Sequence, residues 1–344
     1  MFENKDTTRL LITGGCGFIG SNFINLIMDK YDKIKLINLD ALYYCSNTEN
    51  IKEKFRNSSR YLFINCNLCD MEFLKYVIYE NAPTHIIHFA AQSHVDNSFK
   101  DSLQFTKDNI LGTHTLLEIC RLNLLDFPNQ IKKIIHVSTD EVYGDSMIHE
   151  EELKKNEHSV LCPTNPYAAT KAGAELIAQS YYHSFKLPIV ISRGNNVYGP
   201  NQYKEKLIPK WLDLLSKNEK LTIAGNGTQL RSFLHSYDTA TAFECLLTNG
   251  VIGEIYNIGA DEKDEYSVIK VAKIMLAMWY GLTERQLILE WDNYITEIPD
   301  RPYNDVRYFI SNKKLKDLGW VIKYNFKKGL TELINVYKNK QESN

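Results

Sequence analysis

The stretch that most restricts the fold lies between Arg9 and Asp40. Arg9-Leu10-Leu11-Ile12-Thr13 is a short apolar run, Gly14-Gly15-Cys16-Gly17-Phe18-Ile19-Gly20 follows, and Ser21 to Asp29 has a helical pattern. Gly14, Gly17 and Gly20 let the backbone turn tightly and approach a pyrophosphate closely. The helix start behind them offers free N–H groups and the positive end of a dipole. Lys35-Leu36-Ile37-Asn38-Leu39-Asp40 then reads as a second strand ending in an acid. Asp40 lies 20 residues after Gly20, the distance at which a carboxylate meets an adenosine ribose. A carboxylate there favours NAD, because it would repel a 2′-phosphate. A glycine triplet alone matches many surface turns; strand, glycines, helix and acid in this order do not.

The alternation continues. Tyr61 to Asn65, His85 to Phe89, Lys133 to Ser138 and Pro188 to Ser192 read as strands, and Met71 to Glu80, Phe105 to Asn123 and Tyr167 to Phe185 as helices. This implies an α/β fold with a doubly wound parallel sheet. After Arg193 the pattern loosens, with helices expected near Leu207 to Lys217, Ser267 to Tyr280 and Phe326 to Tyr337, and a late strand at Glu254 to Ile258. A chain of 344 residues exceeds what one core usually fills. The expected division is a cofactor-binding domain over 1–193 plus about 233–259, and a smaller α/β substrate domain over 194–232 plus 260–344. A formal charge of −2 gives no long-range pull towards nucleic acid or anionic membrane. Seven scattered cysteines suit a reducing compartment better than a disulfide framework. With no apolar run near the roughly 20 residues of a membrane span and a polar start lacking a signal-peptide core, a cytoplasmic protein is expected.

The chemistry concentrates in Ser138-Thr139-Asp140-Glu141-Val142-Tyr143-Gly144, read with Tyr167 and Lys171. The preceding apolar, β-branched run would deliver Thr139, Asp140 and Glu141 to the carboxyl end of a buried parallel strand, where open α/β sheets bind ligands. Tyr167 and Lys171, four apart, share one helix face. One hydroxyl, two adjacent carboxylates, a phenol and an amine form an acid–base set; Asp140-Glu141 alone would more often be a solvated loop pair. Cys66 and Cys69 with His85 and His88 have a superficial zinc-finger spacing. The histidines flank a buried-strand run, so packing is the expected role and no metal is assigned.

These residues identify the chain as a member of the extended short-chain dehydrogenase/reductases, and it resembles nucleotide-sugar 4,6-dehydratases in particular. The resemblance rests on Thr13 to Gly20, Phe89-Ala90-Ala91-Gln92-Ser93-His94-Val95-Asp96, Ser138 to Gly144 and Tyr167-x-x-x-Lys171. It continues in Asn196-Val197-Tyr198-Gly199-Pro200, Glu205-Lys206-Leu207-Ile208-Pro209, Tyr256-Asn257-Ile258-Gly259 and Asp300-Arg301-Pro302. It spans about residues 8 to 338 and implies a Rossmann-like fold. Thr139-Asp140-Glu141 separates dehydratases from related epimerases and decarboxylases. The wording of 39–47, 193–202 and 301–305 is similar to the UDP-glucose 4,6-dehydratases of UDP-rhamnose synthesis. Bacterial dTDP-glucose enzymes typically have Gly-His after the Arg-Pro, where this chain has Tyr303-Asn304. One departure is Asn67, where the family usually has an aspartate near the adenine.

The resemblance implies a three-step reaction on UDP-glucose, giving UDP-4-keto-6-deoxyglucose and water with NAD regenerated. Tyr167, as phenolate, takes the C4 hydroxyl proton while Thr139 holds the C4 oxygen. A phenol of pKa about 10 must drop by about 3 units for this, roughly 4 kcal/mol of differential interaction, with Lys171 and the nicotinamide as the expected causes. Glu141 then removes the C5 proton, Asp140 protonates the departing C6 hydroxyl, and hydride returns to C6. The implied cofactor residues are Gly14, Gly17, Phe18, Ile19, Gly20, Asp40, Asn67, Leu68, Ala90 and Ala91, with Tyr167 and Lys171. On the substrate side stand Ser93, Thr139, Asn196, Lys206, Leu207, Arg231, Asn257 and Arg301; Arg231 and Arg301, with Lys206, are matched to the diphosphate. A homodimer through the helices near 105–123 and 167–185 is implied. The rivals are a dTDP-glucose 4,6-dehydratase with the same mechanism and a catalytically silent NAD-binding scaffold.

Overall fold

A computed structural model describes residues 8–146, 154–300 and 303–342. Six strands, β1 (Arg9–Thr13), β2 (Lys35–Asp40), β3 (Tyr61–Asn65), β4 (His85–His88), β5 (Lys133–Thr139) and β6 (Ile189–Gly194), join the strand Ile255–Ile258 in one sheet of seven. The order is β3-β2-β1-β4-β5-β6 and then Ile255–Ile258, and every pair is parallel. The strand sequences are apolar almost throughout because helices cover both faces. On one face helix α1 (Phe18–Lys30) packs Phe23, Ile24 and Ile27 beside Phe243, Leu246 and Leu247 of the helix Ser236–Asn249. On the other, Leu74, Val77, Leu116, Leu117 and Tyr181 come from the helices Met71–Asn81, Gly112–Asp126 and Pro166–Phe185. Chain progression reverses between β1 and β4, which opens a crevice at their carboxyl ends.

A third core gathers Trp211, Leu212, Met275, Leu276, Phe326 and Leu330 from the helices Leu207–Ser216, Val268–Tyr280 and Phe326–Glu342. Two small sheets accompany it: Glu265–Ser267, Leu230–His235 and Asn196–Tyr198 in one, and Ile295–Ile298 parallel to Leu221–Ala224 in the other. Leu315 and Trp320, although late in the chain, belong to the first core.

Some boundaries differ from the sequence expectation. The helix expected over Phe105 to Asn123 is three pieces: Ser102–Phe105, a π-helical stretch Thr106–Leu111, and Gly112–Asp126. The wider turn brings Asn109 inward, where it is buried. Its Oδ1 accepts from the Gln92 amide at 2.7 Å and its Nδ2 donates to Thr170 Oγ1 at 2.9 Å. β6 runs two residues past the expected Ser192, which carries Arg193 and Gly194 to the crevice. No helix of the described residues is long and apolar enough to cross a membrane.

Candidate active site

The crevice holds a cavity whose wall includes every residue that the sequence assigned to the cofactor. Its floor is backbone. Gly14 has φ +70°, and a Cβ there would sit 2.7 Å from the N and Cα of Ala90. At Gly20 a Cβ would lie 2.4 Å from the Gly14 carbonyl oxygen. Helix α1 starts behind Gly17 with no side-chain cap, so its first N–H groups remain available to an anion. Asp40 is buried, and its two oxygens accept the backbone N–H groups of Cys16 (2.9 Å) and Leu42 (2.8 Å). The carboxylate therefore pins the glycine loop while keeping lone pairs for a ribose. Asn67 Oδ1 accepts from the Cys69 amide at 2.9 Å and its Nδ2 donates to the Tyr43 hydroxyl at 3.1 Å. Ser138 and Ser192 also line this cavity, and their hydroxyls are buried without a protein partner. Close-approach glycines, an open helix N-terminus, a ribose carboxylate and unpaired buried hydroxyls fit a dinucleotide.

β5 delivers Thr139 to the cavity wall, and one tight helical turn, Asp140–Tyr143, follows. Thr139 caps that turn by accepting from the Glu141 amide at 3.3 Å. The turn points the two adjacent carboxylates to different partners. Asp140 Oδ2 accepts from Asn195 Nδ2 at 2.6 Å, while Oδ1 lies 3.2 Å from Thr139 Oγ1. Glu141 Oε2 accepts from Asn165 Nδ2 at 3.0 Å and from the Tyr308 hydroxyl at 3.3 Å. Burial, reinforced by the charge of Glu141, lifts Asp140 to about 7. Burial also raises Glu141, but the Asn165 amide and the charges of Lys206 and Arg231 pull it back. Both carboxyls are thus raised, and Asp140, pushed further by the charge of Glu141, holds its proton up to about 7.

Tyr167 and Lys171 share one face of the helix Pro166–Phe185. Asn165 caps that helix by accepting from the Ala168 amide at 2.9 Å, with Pro166 in its first turn. Lys171 Nζ donates to the Val137 carbonyl at 2.6 Å, and burial brings its pKa down to about 8. The expectation that Lys171 and a nicotinamide together lower the phenol of Tyr167 concerns the NAD-loaded site; in the chain alone the phenol is raised. Burial, then the charge of Glu141, raises the phenol above its ordinary value, the contact with Thr139 offsets part of this, and Asp140 adds to the rise. Desolvation is the largest of these causes.

A second cavity shares Val197, Gln202, Glu205 and Lys206 with the first and carries Glu141, Asn196, Leu207, Arg231 and Tyr308 on its wall. Leu207 opens a helix without a side-chain cap, another free N-terminus for an anion. Lys206 Nζ donates to the Ser93 carbonyl at 2.8 Å; Ser93 itself lines the first cavity. Arg231 lies over the Tyr308 ring at 4.9 Å. Its Nη1 donates to the Leu230 carbonyl (2.8 Å), and its Nη2 to the Asp305 carbonyl (2.8 Å) and to Asn304 Oδ1 (3.1 Å). The fork expected to grip a diphosphate is turned onto the chain, leaving Nε and the charge for a ligand.

Of the described residues assigned to substrate, one is not brought to these walls. Asn257 is fully buried, takes the Tyr143 hydroxyl on Oδ1 at 2.8 Å and is absent from the lining of both cavities. Tyr143 in turn accepts from Arg193 at 2.7 Å, and Arg193 forms a buried pair with Glu175. Arg301 lies outside the described residues. His88, weighed as a ligand, is held between Thr13 (2.7 Å) and Thr113 (2.9 Å); no group of three or more metal-ligating residues occurs among the described residues. Sequence reasoning missed Asn165, Asn195, Asn109 and Tyr308. The Asn-Pro pair before the helix signalled a cap and so could have found Asn165; a π-helical turn leaves no sequence signal, so Asn109 could not be found.

A family model described as GDP-mannose 4,6 dehydratase matches residues 11–333. A dTDP-D-glucose 4,6-dehydratase of Dictyostelium discoideum is 40% identical over 98% of this chain and 84% of its own length. A trifunctional UDP-glucose 4,6-dehydratase/UDP-4-keto-6-deoxy-D-glucose 3,5-epimerase/UDP-4-keto-L-rhamnose-reductase of Arabidopsis thaliana is 42% identical over 97% of this chain, which spans 48% of that protein. The crystal structure of dTDP-glucose 4,6-dehydratase from Bacillus anthracis in complex with NAD superposes with a TM-score of 0.84 at 35% identity, covering 97% of this chain and 98% of that one. The chain thus belongs to the GDP-mannose 4,6 dehydratase family and is an NAD-dependent nucleotide-sugar 4,6-dehydratase.

Proposed function

We propose that the substrate is UDP-glucose and that the product is UDP-4-keto-6-deoxyglucose, the first intermediate of a rhamnose-type 6-deoxysugar. The observation that carries this reading is the pair Tyr303-Asn304 after Arg301-Pro302, in place of the Gly-His of bacterial dTDP enzymes. Asn304 links Arg231 (3.1 Å) to Asp300 (2.9 Å), and both members of the pair line the second cavity, which supports a role in nucleotide choice.

In the proposed cycle Tyr167 takes the C4 hydroxyl proton while Thr139 holds the C4 oxygen. NAD, held by the glycine loop, Asp40 and the cavity wall, would supply a positive ring beside the raised phenol and the hydride chemistry at C4 and C6. Glu141, held by Asn165 and Tyr308, removes the C5 proton that the new ketone acidifies. Asp140, still protonated, gives its proton to the departing C6 oxygen. Two adjacent carboxylates can serve as base and acid because their partners separate them. Arg231, Lys206 and the N-terminus at Leu207 face the diphosphate. Exposed Leu103, Leu125 and Leu176 on the helices after β4 and β5 support a homodimer through those faces, for which light scattering would give twice the mass of one chain.

The second reading is dTDP-glucose, the substrate in the name of the Dictyostelium discoideum relative. One methyl in a pocket is worth only about 1–3 kcal/mol, so the two nucleotides must be compared directly. Purified protein is incubated separately with UDP-glucose and dTDP-glucose, without added reductant, and loss of water is followed by mass. Preference for UDP-glucose is the expected result. Preference for dTDP-glucose keeps the chemistry and overturns the nucleotide; turnover of neither by the NAD-loaded protein sinks both.

A further inference from the structure

Asn195 follows β6 and is buried between the Asp140 turn and the loop after Ile255–Ile258. Its Oδ1 accepts the backbone N–H of Ala260 at 3.2 Å, and its Nδ2 donates to Asp140 Oδ2 at 2.6 Å. A backbone amide only donates, so it dictates which end of the carboxamide faces it. The flipped arrangement would set NH2 against N–H. Gly259 confines the same oxygen from a second side: a Cβ there would lie 2.6 Å from Asn195 Oδ1. The NH2 end is therefore aimed at Asp140 by the main chain. An NH2 group needs an acceptor, so Oδ2 is bare whether Asp140 is ionised or neutral. Oδ1 accepts from Thr139 Oγ1 at 3.2 Å when Asp140 is ionised, but a hydroxyl, unlike an NH2 group, can turn to accept, so the proton of the neutral acid is left to Oδ1, beside Thr139 of the cavity wall.

We propose that Asn195 is the positioning residue of the general acid: held by Ala260 and Gly259, it assigns the proton of Asp140 to Oδ1 and so aims it at the leaving oxygen of the sugar. The inference rests on Asp140 being that acid. In the elimination the Oδ1–H bond breaks and an O–H bond forms on the C6 oxygen. The C6–O bond breaks and water leaves. The electron pair of the C5–H bond becomes the C5–C6 double bond, and that proton goes to Glu141. Asp140 is left as a carboxylate whose Oδ2 already has its donor.

The test compares Asn195→Ala, Gly259→Ala and Asp140→Asn in single turnovers with whichever nucleotide-glucose the parent accepts. Absorbance of the reduced nicotinamide reports C4 oxidation, and mass reports water loss. Asn195→Ala should leave the first within about two-fold and slow the second by about 10- to 100-fold. Its alkaline limb for water loss should move to higher pH, because the hydrogen bond that stabilised the Asp140 carboxylate is gone. Gly259→Ala, which crowds Asn195 without removing it, should move the same limb by less; it serves alone if Asn195→Ala does not fold. An unmoved limb, or oxidation and water loss falling together, overturns the assignment to Asn195 provided Asp140→Asn blocks water loss. If Asp140→Asn still releases water at the parental rate, the reading of Asp140 as acid fails and the inference fails with it.

Discussion

The two cavities share a wall but are built from different materials. The cofactor side is made of backbone: three glycines, the open start of α1 and the main-chain N–H groups that Asp40 gathers, nearly all within residues 13–42. The sugar-nucleotide side is made of side chains that meet from far apart: Glu141, Asn165, Lys206, Arg231 and Tyr308. A backbone site has few ways to adjust, since a clash at one Cα moves the strand beside it. A side-chain site can re-form through another rotamer, and its charges respond to pH. Substitutions of similar size should therefore hurt the first side more than the second.

Gly14→Ala should give the largest effect. The added Cβ at φ +70° meets main-chain atoms of Ala90 at 2.7 Å, and the left-handed conformation itself costs an L-residue roughly 1–2 kcal/mol. The Ala90 loop must shift away from the pyrophosphate position. NAD affinity should fall about 100-fold, which is roughly 2.7 kcal/mol. Measuring NAD retained after gel filtration, with thermal unfolding as the control for folding, checks this. A variant that keeps its full NAD would remove the distinction between the two sides.

The same contrast accounts for what the sequence made legible. Strand, glycines, helix and Asp40 lie in continuous order, so local pattern carried the cofactor side and the parallel sheet with it. Thr139, Asp140, Glu141, Tyr167 and Lys171 were legible because each sits at the end of one strong element. The partners were not. Whether Asn257 faces a ligand or the Tyr143 hydroxyl depends on a network through Arg193 and Glu175 that no local pattern encodes. Whether Arg231 forks onto a diphosphate or onto Leu230, Asn304 and Asp305 depends on where 304–306 pass. The short strands Leu221–Ala224 and Ile295–Ile298 pair across some seventy residues and have too few positions for a period to show. The rise of the Tyr167 phenol in the chain alone was not legible, because its largest cause is desolvation, which sequence does not show.

Arg231→Lys tests the adaptable side. Lysine keeps the charge near Glu141 but cannot reproduce the four hydrogen bonds of the two Nη atoms, and it loses the planar contact with Tyr308. The segment at 304–306 loosens while the catalytic turn stays. KM for the nucleotide sugar should rise about 10-fold, or roughly 1.4 kcal/mol, with kcat within about two-fold and NAD retention unchanged. A fall in kcat matching the rise in KM would mean that Arg231 acts in the transition state rather than on the bound substrate.

The smallest effect is in stability, and it belongs only to the side that holds buried acids. Asp140 has a pKa of about 7 in the folded chain against an ordinary 3.8, so folding takes up a proton between those values. A raised carboxyl contributes stability that is present below about pH 4 and is lost as pH rises through about 7. Above that the folded state carries a buried charge. Asp140→Asn abolishes the charge and mimics the neutral acid: its carbonyl can accept from Asn195 and its NH2 can face Thr139. The variant should melt about 3 °C above the parent at pH 8, with a smaller gap at pH 5. Glu141 remains in both proteins, and relief of its repulsion with Asp140 is part of the gap at pH 8. Equal gaps at the two pH values would show that Asp140 is not held neutral by its surroundings. The catalytic loss in the same variant would then reflect geometry rather than an absent proton.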